Sequence, residues 1–282
     1  MAEYLTNTSE LTAVADAIRA KGSTTASLSF PAGFVSAISA LETGGGVDAG
    51  MVGIIERTAS SVTTSNVSKI GDYVCLSNSF IQYVNMPNVT SVGSSAFYNC
   101  RNLTEVHLAG LTMTSYGAFA RCSKLSVIDT PNIQEIGADT FRSCSKLTSC
   151  SFPNATAFGE YAFANCYLLQ EITIPSVRIL GGNCFSQCSA LSGIQLPNCT
   201  VMGYTAFKSC YHLLSVDLTL TSRVVRMSQA ASYTFASTPI TGYTASTGGV
   251  YGSVYVPASL YDAYISNASW SGIADRIVSV GE

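Results

Sequence analysis

Cysteine is the residue type in this chain whose chemistry and spacing stand out together. The sequence has 282 residues, with ten cysteines and two histidines. Six of the cysteines recur every 22 residues, at Cys100, Cys122, Cys144, Cys166, Cys188 and Cys210. A structural zinc site needs cysteine or histidine ligands that converge on a tetrahedron, typically from closely spaced pairs. Thiols placed once per repeat form a single file, so the pattern predicts buried, stacked thiols and no metal site.

The other four cysteines, Cys75, Cys150, Cys184 and Cys199, occupy apolar positions of the same repeat. Free cysteine behaves as a small buried hydrophobic residue, which accounts for all ten. A disulfide between stacked coils after oxidation stays open on this pattern. No cofactor is expected.

The two histidines give no catalytic arrangement. His107 and His212 fall at different positions of the repeat, about five coils apart, which strand spacing converts to roughly 20 Å or more. They cannot act together, and we predict that the chain is not an enzyme and has no catalytic residues.

The elements that position these residues follow from the period itself. A period in the twenties, sustained six times, predicts a solenoid in which each repeat is one coil. At least seven coils run from about residue 67 to residue 219. Three residues before each cysteine stands an aromatic residue, and we call these positions the aromatic column: Phe97, Phe119, Phe141, Phe163, Phe185 and Phe207.

Each part of the 22-residue repeat predicts a local conformation. The spacing L-x-x-V-x-L predicts a short strand with one buried face, and the proline and Pro-Asn turn that follow predict its end. The stretch A-F-x-x-C predicts a single helical or 3-10 turn. A glycine seven residues before the cysteine predicts a corner that needs positive φ or a close backbone approach. Ser115 is the exception in this glycine column.

The unit C-x-x-L-x-x-V-x-L-P-x-V-x-x-I-G-x-x-A-F-x-x-C resembles the BspA-like class of leucine-rich repeats, which is common in bacterial surface and secreted proteins. The resemblance implies a leucine-rich-repeat solenoid of the α/β class. It also implies binding, adhesion or host contact, with no chemistry.

Four segments are predicted. Residues 1–47 form a helical hairpin followed by a glycine linker, residues 48–66 the N-terminal cap of the solenoid, residues 67–222 the repeats, and residues 223–282 the C-terminal cap. A helix is expected over residues 259–278 in that last segment. The first segment resembles N-terminal segments of phage and prophage-encoded proteins of gut bacteria, which implies an attachment device. The alternative is a hairpin that only packs against the rest of the chain.

Composition restricts the classes of partner. Charged residues make up 11% of the chain and the net charge is −3, which argues against nucleic-acid binding. No apolar run is long enough to span a membrane, and the first residues lack the features of a secretory signal. We expect an extracellular, cell-surface or virion location, reached after removal of a signal or by another route. The pattern does not predict the oligomeric state.

The binding residues are expected on the outward face of the strands. Repeat proteins recognise partners through such variable surfaces. The candidates are Tyr83, Glu105, His107, Asp129, Ser151, Glu171, Thr173, Gln195 and Asp217. The expected partner is a host or bacterial surface protein or glycan. The alternatives are a solvated face without a partner, recognition by the tyrosine-rich C-terminal loops, and a structural spacer or phage-tail-associated display scaffold.

A second patch is basic and lies around the cysteine corner of three consecutive coils. It consists of Arg101, Arg121, Lys124, Arg142 and Lys146. Such a ridge could meet an anionic glycan or cell-wall polymer. The alternative is that these charges only keep the surface soluble.

Overall fold

The computed structural model describes residues 49–55 and 57–281, and the strands of this part form a parallel solenoid. The predictions for residues 1–47 lie outside the described residues. Each coil has a three-residue strand whose central side chain points inward. These strands are β1 (Ser61–Thr63), β3 (Tyr83–Asn85), β5 (Glu105–His107), β7 (Val127–Asp129), β9 (Ser149–Ser151), β11 (Glu171–Thr173), β13 (Gly193–Gln195) and β15 (Ser215–Asp217), and they are followed by β17 (Ser253–Pro257) and β18 (Ile277–Val280).

The strand register confirms the predicted leucine-rich-repeat solenoid. Val84 pairs with Val106, and Val106 pairs with Ile128, each one period of the sequence apart. The ladder is interrupted between β7 and β9 and again between β11 and β13, so the odd-numbered strands form three sheets.

A second strand in each coil was not predicted. Eight two-residue strands form one parallel sheet on another side of the coils. They are β2 (Lys69–Ile70), β4 (Ser91–Val92), β6 (Met113–Thr114), β8 (Glu135–Ile136), β10 (Ala157–Phe158), β12 (Ile179–Leu180), β14 (Val201–Met202) and β16 (Arg226–Met227). Two residues are too few to show an alternating pattern, which explains why the sequence did not reveal these strands.

The A-F-x-x-C stretch forms successive tight turns. The amide of Tyr98 donates to the carbonyl of Ser95, and the amide of Cys100 donates to the carbonyl of Phe97. Both bonds join residues three apart, as in a 3-10 turn. Ser95 and Asn99 have φ values of 52° and 61°, in the left-handed region, and they interrupt the helical path. Their amides point to the next coil instead, where Ser95 donates to Tyr116 over 2.8 Å. The turns therefore also hydrogen-bond one coil to the next.

The glycine column is explained by close backbone approach and not by positive φ. A Cβ atom on Gly181 would lie 2.5 Å from the carbonyl carbon of Gly159, and one on Gly137 would lie 2.5 Å from the carbonyl oxygen of Thr114. At the exceptional corner beside Ser115, the Thr114 hydroxyl accepts a hydrogen bond from the Gly137 amide over 3.0 Å. Strands β6 and β8 share only the pair Met113–Glu135 there.

The core contains two ladders that run along the solenoid. Rings of the aromatic column stack with centroid separations between 5.2 Å, for Phe97 and Phe119, and 5.6 Å, for Phe119 and Phe141. Beside them lie the six periodic cysteines, which we call the cysteine column: Cys100, Cys122, Cys144, Cys166, Cys188 and Cys210. Their thiols are buried, as the sequence predicts. Trp270 lies beyond the last stacked ring, 6.4 Å from Phe235, and is fully buried.

The ends of the stack are built from chain that lacks the 22-residue period. Helix α1 (Ala49–Ile55) lies next to β1, and the side-chain amide of Asn78, which stands in the cysteine column, donates to the carbonyl of Ile54. At the other end β16 pairs with β14 at an offset of 25 residues, since Met202 pairs with Met227. Strand β17 continues the outward sheet by pairing with β15. Coil stacking therefore persists after the sequence period has ended.

The single helix expected over residues 259–278 is not formed. The segment contains a 3-10 turn η3 (Ala258–Leu260), helix α3 (Tyr261–Ile265), a longer 3-10 segment η4 (Ser271–Arg276) and then β18. Asn267 ends the helix because its side-chain oxygen accepts the Ser269 amide. Before it the chain forms α2 (Ala231–Thr234), η1 (Pro239–Thr241) and η2 (Ala245–Thr247).

Candidate binding surface

The nine predicted binding residues all lie on the outward face of the odd-numbered strands. Their side chains are half-buried or exposed and flank an inward-pointing central residue. Within each sheet the candidates are neighbours in the strand register, as Ser151 is to Thr173 and Gln195 to Asp217. The two interruptions of the ladder divide these residues into local groups.

One group surrounds His107. Its Nδ1 atom lies 3.3 Å from a carboxylate oxygen of Asp129, and its Nε2 atom lies 3.4 Å from one of Glu105. The Tyr83 ring packs on the imidazole with centroids 5.4 Å apart. We call these four residues the histidine group. The group is a compact polar surface in which one imidazole lies between two carboxylates.

A second group lines a shallow depression of about 520 Å³. Glu171, Thr173, Gln195 and Asp217 contribute from three strands. Gly193 also lines the depression, and the Ser215 hydroxyl occupies the space where a Cβ atom of residue 193 would stand. Strands β11 and β13 are not paired here. One oxygen of the Asp217 carboxylate accepts hydrogen bonds from both the amide and the hydroxyl of Thr219. Glu171, Thr173 and Gln195 are exposed and are the side chains that a partner could reach.

Sequence reasoning missed Tyr255, which also lines the depression. Tyr255 pairs with Asp217 across β15 and β17, although 38 residues separate these partners in the chain. The 22-residue period could not reveal this contact. The sequence did carry one signal for the depression. Gly193 stands at a position of the repeat where other coils hold larger residues such as Tyr83, Glu105 and Glu171.

The cysteines form hydrogen bonds inside the core. Each thiol of the cysteine column donates to a carbonyl of the preceding coil, as Cys122 does to Phe97 over 3.1 Å and Cys188 to Phe163 over 3.1 Å. Burial raises the pKa of the Cys166 thiol to about 12 and that of Cys199 to about 12. Thiolate, the nucleophilic and metal-binding form, is therefore disfavoured. Within residues 49–55 and 57–281 no group of three or more His, Cys, Asp or Glu side chains is arranged so that it could hold a metal ion.

The two histidines are not brought together. His107 lies on strand β5, whereas the Nδ1 atom of His212 lies 2.7 Å from the carbonyl oxygen of Ser189 in a turn after the cysteine column. Their positions agree with the separate columns read from the sequence.

The predicted basic patch is partly neutralised. Asp139 lies 2.9 Å from Arg142, whose guanidinium also stacks 5.0 Å from the Tyr161 ring. Lys124 donates to Asn102 over 2.8 Å, and Arg121 lies over the Tyr98 ring. Of the five cations in this patch, only Arg142 has a carboxylate within 4.0 Å in the described part of the chain.

Three potential N-glycosylation sequons coincide with the Pro-Asn turn. Their side-chain amides donate hydrogen bonds to backbone carbonyls of the preceding coil: Asn88 to Ser65, Asn154 to Pro131 and Asn198 to Pro175. We call this position the asparagine column. Its side chains are the outer hydrogen-bonded ladder between coils.

The family assignment follows from these repeats. The family model described as "BspA type Leucine rich repeat region (6 copies)" matches residues 68–192 and 112–238. The chain therefore belongs to this family. No curated protein matches the chain. No helix among the described residues is long and apolar enough to cross a membrane.

Solved structures with similar folds are leucine-rich-repeat proteins. A leucine-rich repeat protein from Bacteroides ovatus is similar with a TM-score of 0.50 at 20% identity, over 80% of this chain and 61% of that protein. A leucine rich cell surface protein from Faecalibacterium prausnitzii matches 78% of this chain and 86% of its own length at 19% identity, with a TM-score of 0.41. This chain thus spans less than two thirds of the Bacteroides ovatus protein.

Proposed function

We propose that this protein is a non-enzymatic binding or adhesion protein that acts at a bacterial cell surface. The observation that carries the proposal is the depression on the outward strand face, where Glu171, Thr173 and Gln195 are exposed beside the unpaired strands β11 and β13. Repeat proteins present such residues on a rigid scaffold. The partner is a host or bacterial surface protein or glycan.

Three further observations support this function. The family consists of leucine-rich repeats, and one similar solved structure is described as a cell surface protein. Burial raises the pKa of nine of the ten thiols, and the two histidines are separate, so among the described residues these groups do not pair as a cysteine nucleophile and its histidine base. The N-terminal segment, residues 1–47, would then attach the solenoid to a larger assembly, which includes a phage particle as one candidate.

The test is a glycan-array and whole-cell binding screen of the full chain and two double variants. Glu171→Gln with Gln195→Ala removes polar groups from the depression. Glu135→Gln with Gln134→Ala makes the same two chemical changes at exposed positions of the even-numbered sheet. We expect the first variant to lose about tenfold or more in affinity for the captured partner, since central contacts dominate binding. The second should bind like the unmodified chain.

Both variants should unfold at the same temperature as the parent, because the changed side chains are exposed. Binding that is equal in both variants would place recognition away from the depression. Absence of binding to any cell or glycan would favour the spacer function instead.

A further inference from the structure

The repeat is interrupted between Leu218 and Arg226, and a cavity lies beside this interruption. Met202 pairs with Met227, three residues beyond the 22-residue offset. Leu220 stands in the asparagine column, but its side chain has no amide to donate to the preceding coil. It is 76% exposed. A cavity of about 600 Å³ is lined by the start of β12, the turn before β14 and the segment that follows β15. The same groove in the regular coils, lined by Thr112, Gln134 and Glu135 among others, measures about 570 Å³, so what distinguishes this cavity is its lining.

Two arginines border this cavity. Arg178, at the beginning of β12, and Arg223, in the inserted segment, are both exposed lining residues. None of the described residues that line the cavity is acidic. Neither arginine has a carboxylate within 4.0 Å anywhere in residues 49–55 and 57–281. Two exposed arginines thus line one open volume without a carboxylate beside them.

The backbone around Arg178 is held firmly. Its carbonyl accepts the amide of Thr200 over 2.8 Å and the Thr200 hydroxyl over 3.1 Å. The cavity lining is also mixed in character: Ile179 is 46% exposed and offers apolar surface together with Leu220, whereas Ser222 adds a hydroxyl. Small-molecule sites combine apolar walls with a few polar groups in volumes of about 300–1,000 Å³.

We infer that this cavity, the arginine cavity, binds a saccharide that carries a carboxylate. Guanidinium groups bind carboxylates through paired, charge-assisted hydrogen bonds. The aliphatic side chains of Ile179 and Leu220 can pack on the C–H face of a sugar ring, and the Ser222 hydroxyl can hydrogen-bond to its hydroxyls. The cavity shares Pro197 with the depression but none of Glu171, Thr173 and Gln195, so this inference goes beyond the proposed function and does not depend on it.

The experiment is an NMR titration of the full, isotopically labelled chain with D-glucuronate, D-glucose and inorganic phosphate. Glucuronate and glucose differ only in the carboxylate at C6. We expect glucuronate to bind with a dissociation constant of about 1 mM, as is usual for one charged group and a few contacts. Glucose and phosphate should bind at least about tenfold more weakly, because each lacks part of the recognised group.

Two charge-matched double variants decide whether the arginines are responsible. Arg178→Gln with Arg223→Gln should weaken glucuronate binding by at least about tenfold. Lys124→Gln with Lys146→Gln removes the same charge from the basic patch and should bind glucuronate normally. The Glu171→Gln and Gln195→Ala variant should also bind it normally, which separates this site from the depression.

Three outcomes would overturn the assignment. They are no binding of glucuronate to the parent chain, equal loss in both charge-removal variants, and equal affinity for phosphate and glucuronate. Thermal unfolding checks that the arginine variant is folded. If it is not, Arg178→Lys with Arg223→Lys keeps the charge but removes the planar fork, and it should still weaken glucuronate more than the lysine control does.

Discussion

The thiol of Cys166 donates a hydrogen bond to the carbonyl oxygen of Phe141 in the preceding coil, over 3.2 Å. The same carbonyl accepts the amide of Cys144 within its own coil. The turn by itself gives this carbonyl one hydrogen bond, and the cysteine of the next coil gives it a second. The relationship repeats along the cysteine column and explains why a small, weakly polar residue is needed there.

Replacement of Cys166 by alanine should therefore destabilise the fold by about 1–3 kcal/mol, because it removes a buried donor and leaves a small cavity. Urea unfolding at neutral pH measures the change in free energy. The matched control is Cys184→Ala, at a position where other coils carry alanine, such as Ala96 and Ala162. A cost at Cys184 equal to that at Cys166 would contradict the special role of the cysteine column.

A single substitution in the core, at Thr130, should increase the stability of the protein. Among the described residues, its hydroxyl is the one buried side-chain oxygen without a hydrogen-bond partner. Thr130→Val should stabilise the protein by about 1 kcal/mol or more, since an unsatisfied buried hydroxyl is replaced by a methyl group. Thr140→Val is the control, because the Thr140 hydroxyl donates to Gly137 over 2.8 Å. Thermal unfolding should move upward for the first variant and downward for the second; an unchanged or lower value for Thr130→Val would refute the argument.

Stability should fall at alkaline pH. Burial raises the pKa of nine of the ten cysteines above the ordinary value, Cys166 to about 12 among them. The unfolded chain ionises its thiols near pH 8.5–9, roughly, whereas the folded chain keeps them protonated. The contribution of burial is thus complete below that pH and is lost as the pH rises toward the folded pKa.

Urea unfolding between pH 8 and pH 11 under reducing conditions measures this loss. Each thiol that ionises only in the unfolded state lowers the free energy of unfolding by up to about 1.4 kcal/mol per pH unit. Cys166→Ala removes one such group and should give a shallower dependence. A free energy that stays constant across this range would show that the thiols are accessible to solvent.

The asparagine column should contribute to stability from outside the core. Asn154→Ala removes the bond from the Asn154 amide to the Pro131 carbonyl, which measures 2.9 Å. We expect a loss of about 0.5–1.5 kcal/mol in the free energy of unfolding, a normal value for a neutral hydrogen bond. Gln134→Ala, at another exposed position in the same region, should change stability by less than about 0.5 kcal/mol. Equal effects would mean that solvent replaces the ladder bond without cost.

The described structure separates what a repeat can reveal from what it cannot. The exposed flanks of β5, β7 and β11 follow from residue spacing, because a side chain in a strand points to alternate faces. The left-handed residues Ser95 and Asn99 were not predicted, since serine and asparagine are ordinary residues in most turns. Glycine marks these two columns only once, at Gly117. The broken helix after Ile265 was missed because helical spacing of Leu260, Tyr264 and Trp270 does not show where Asn267 turns the chain.

The sequence by itself determined the class of fold, the period, the buried columns and the face that holds Glu105, Asp129 and Glu171. It could do so because every regular coil repeats the same local contacts 22 residues later. Only the tertiary structure decided where cavities form. The depression beside Gly193 needs Tyr255 from a strand outside the period, and the arginine cavity needs Arg178 and Arg223 from different coils. Tyr255 and Arg223 lie beyond the regular period, where the position of a residue depends on backbone hydrogen bonds to a distant part of the chain.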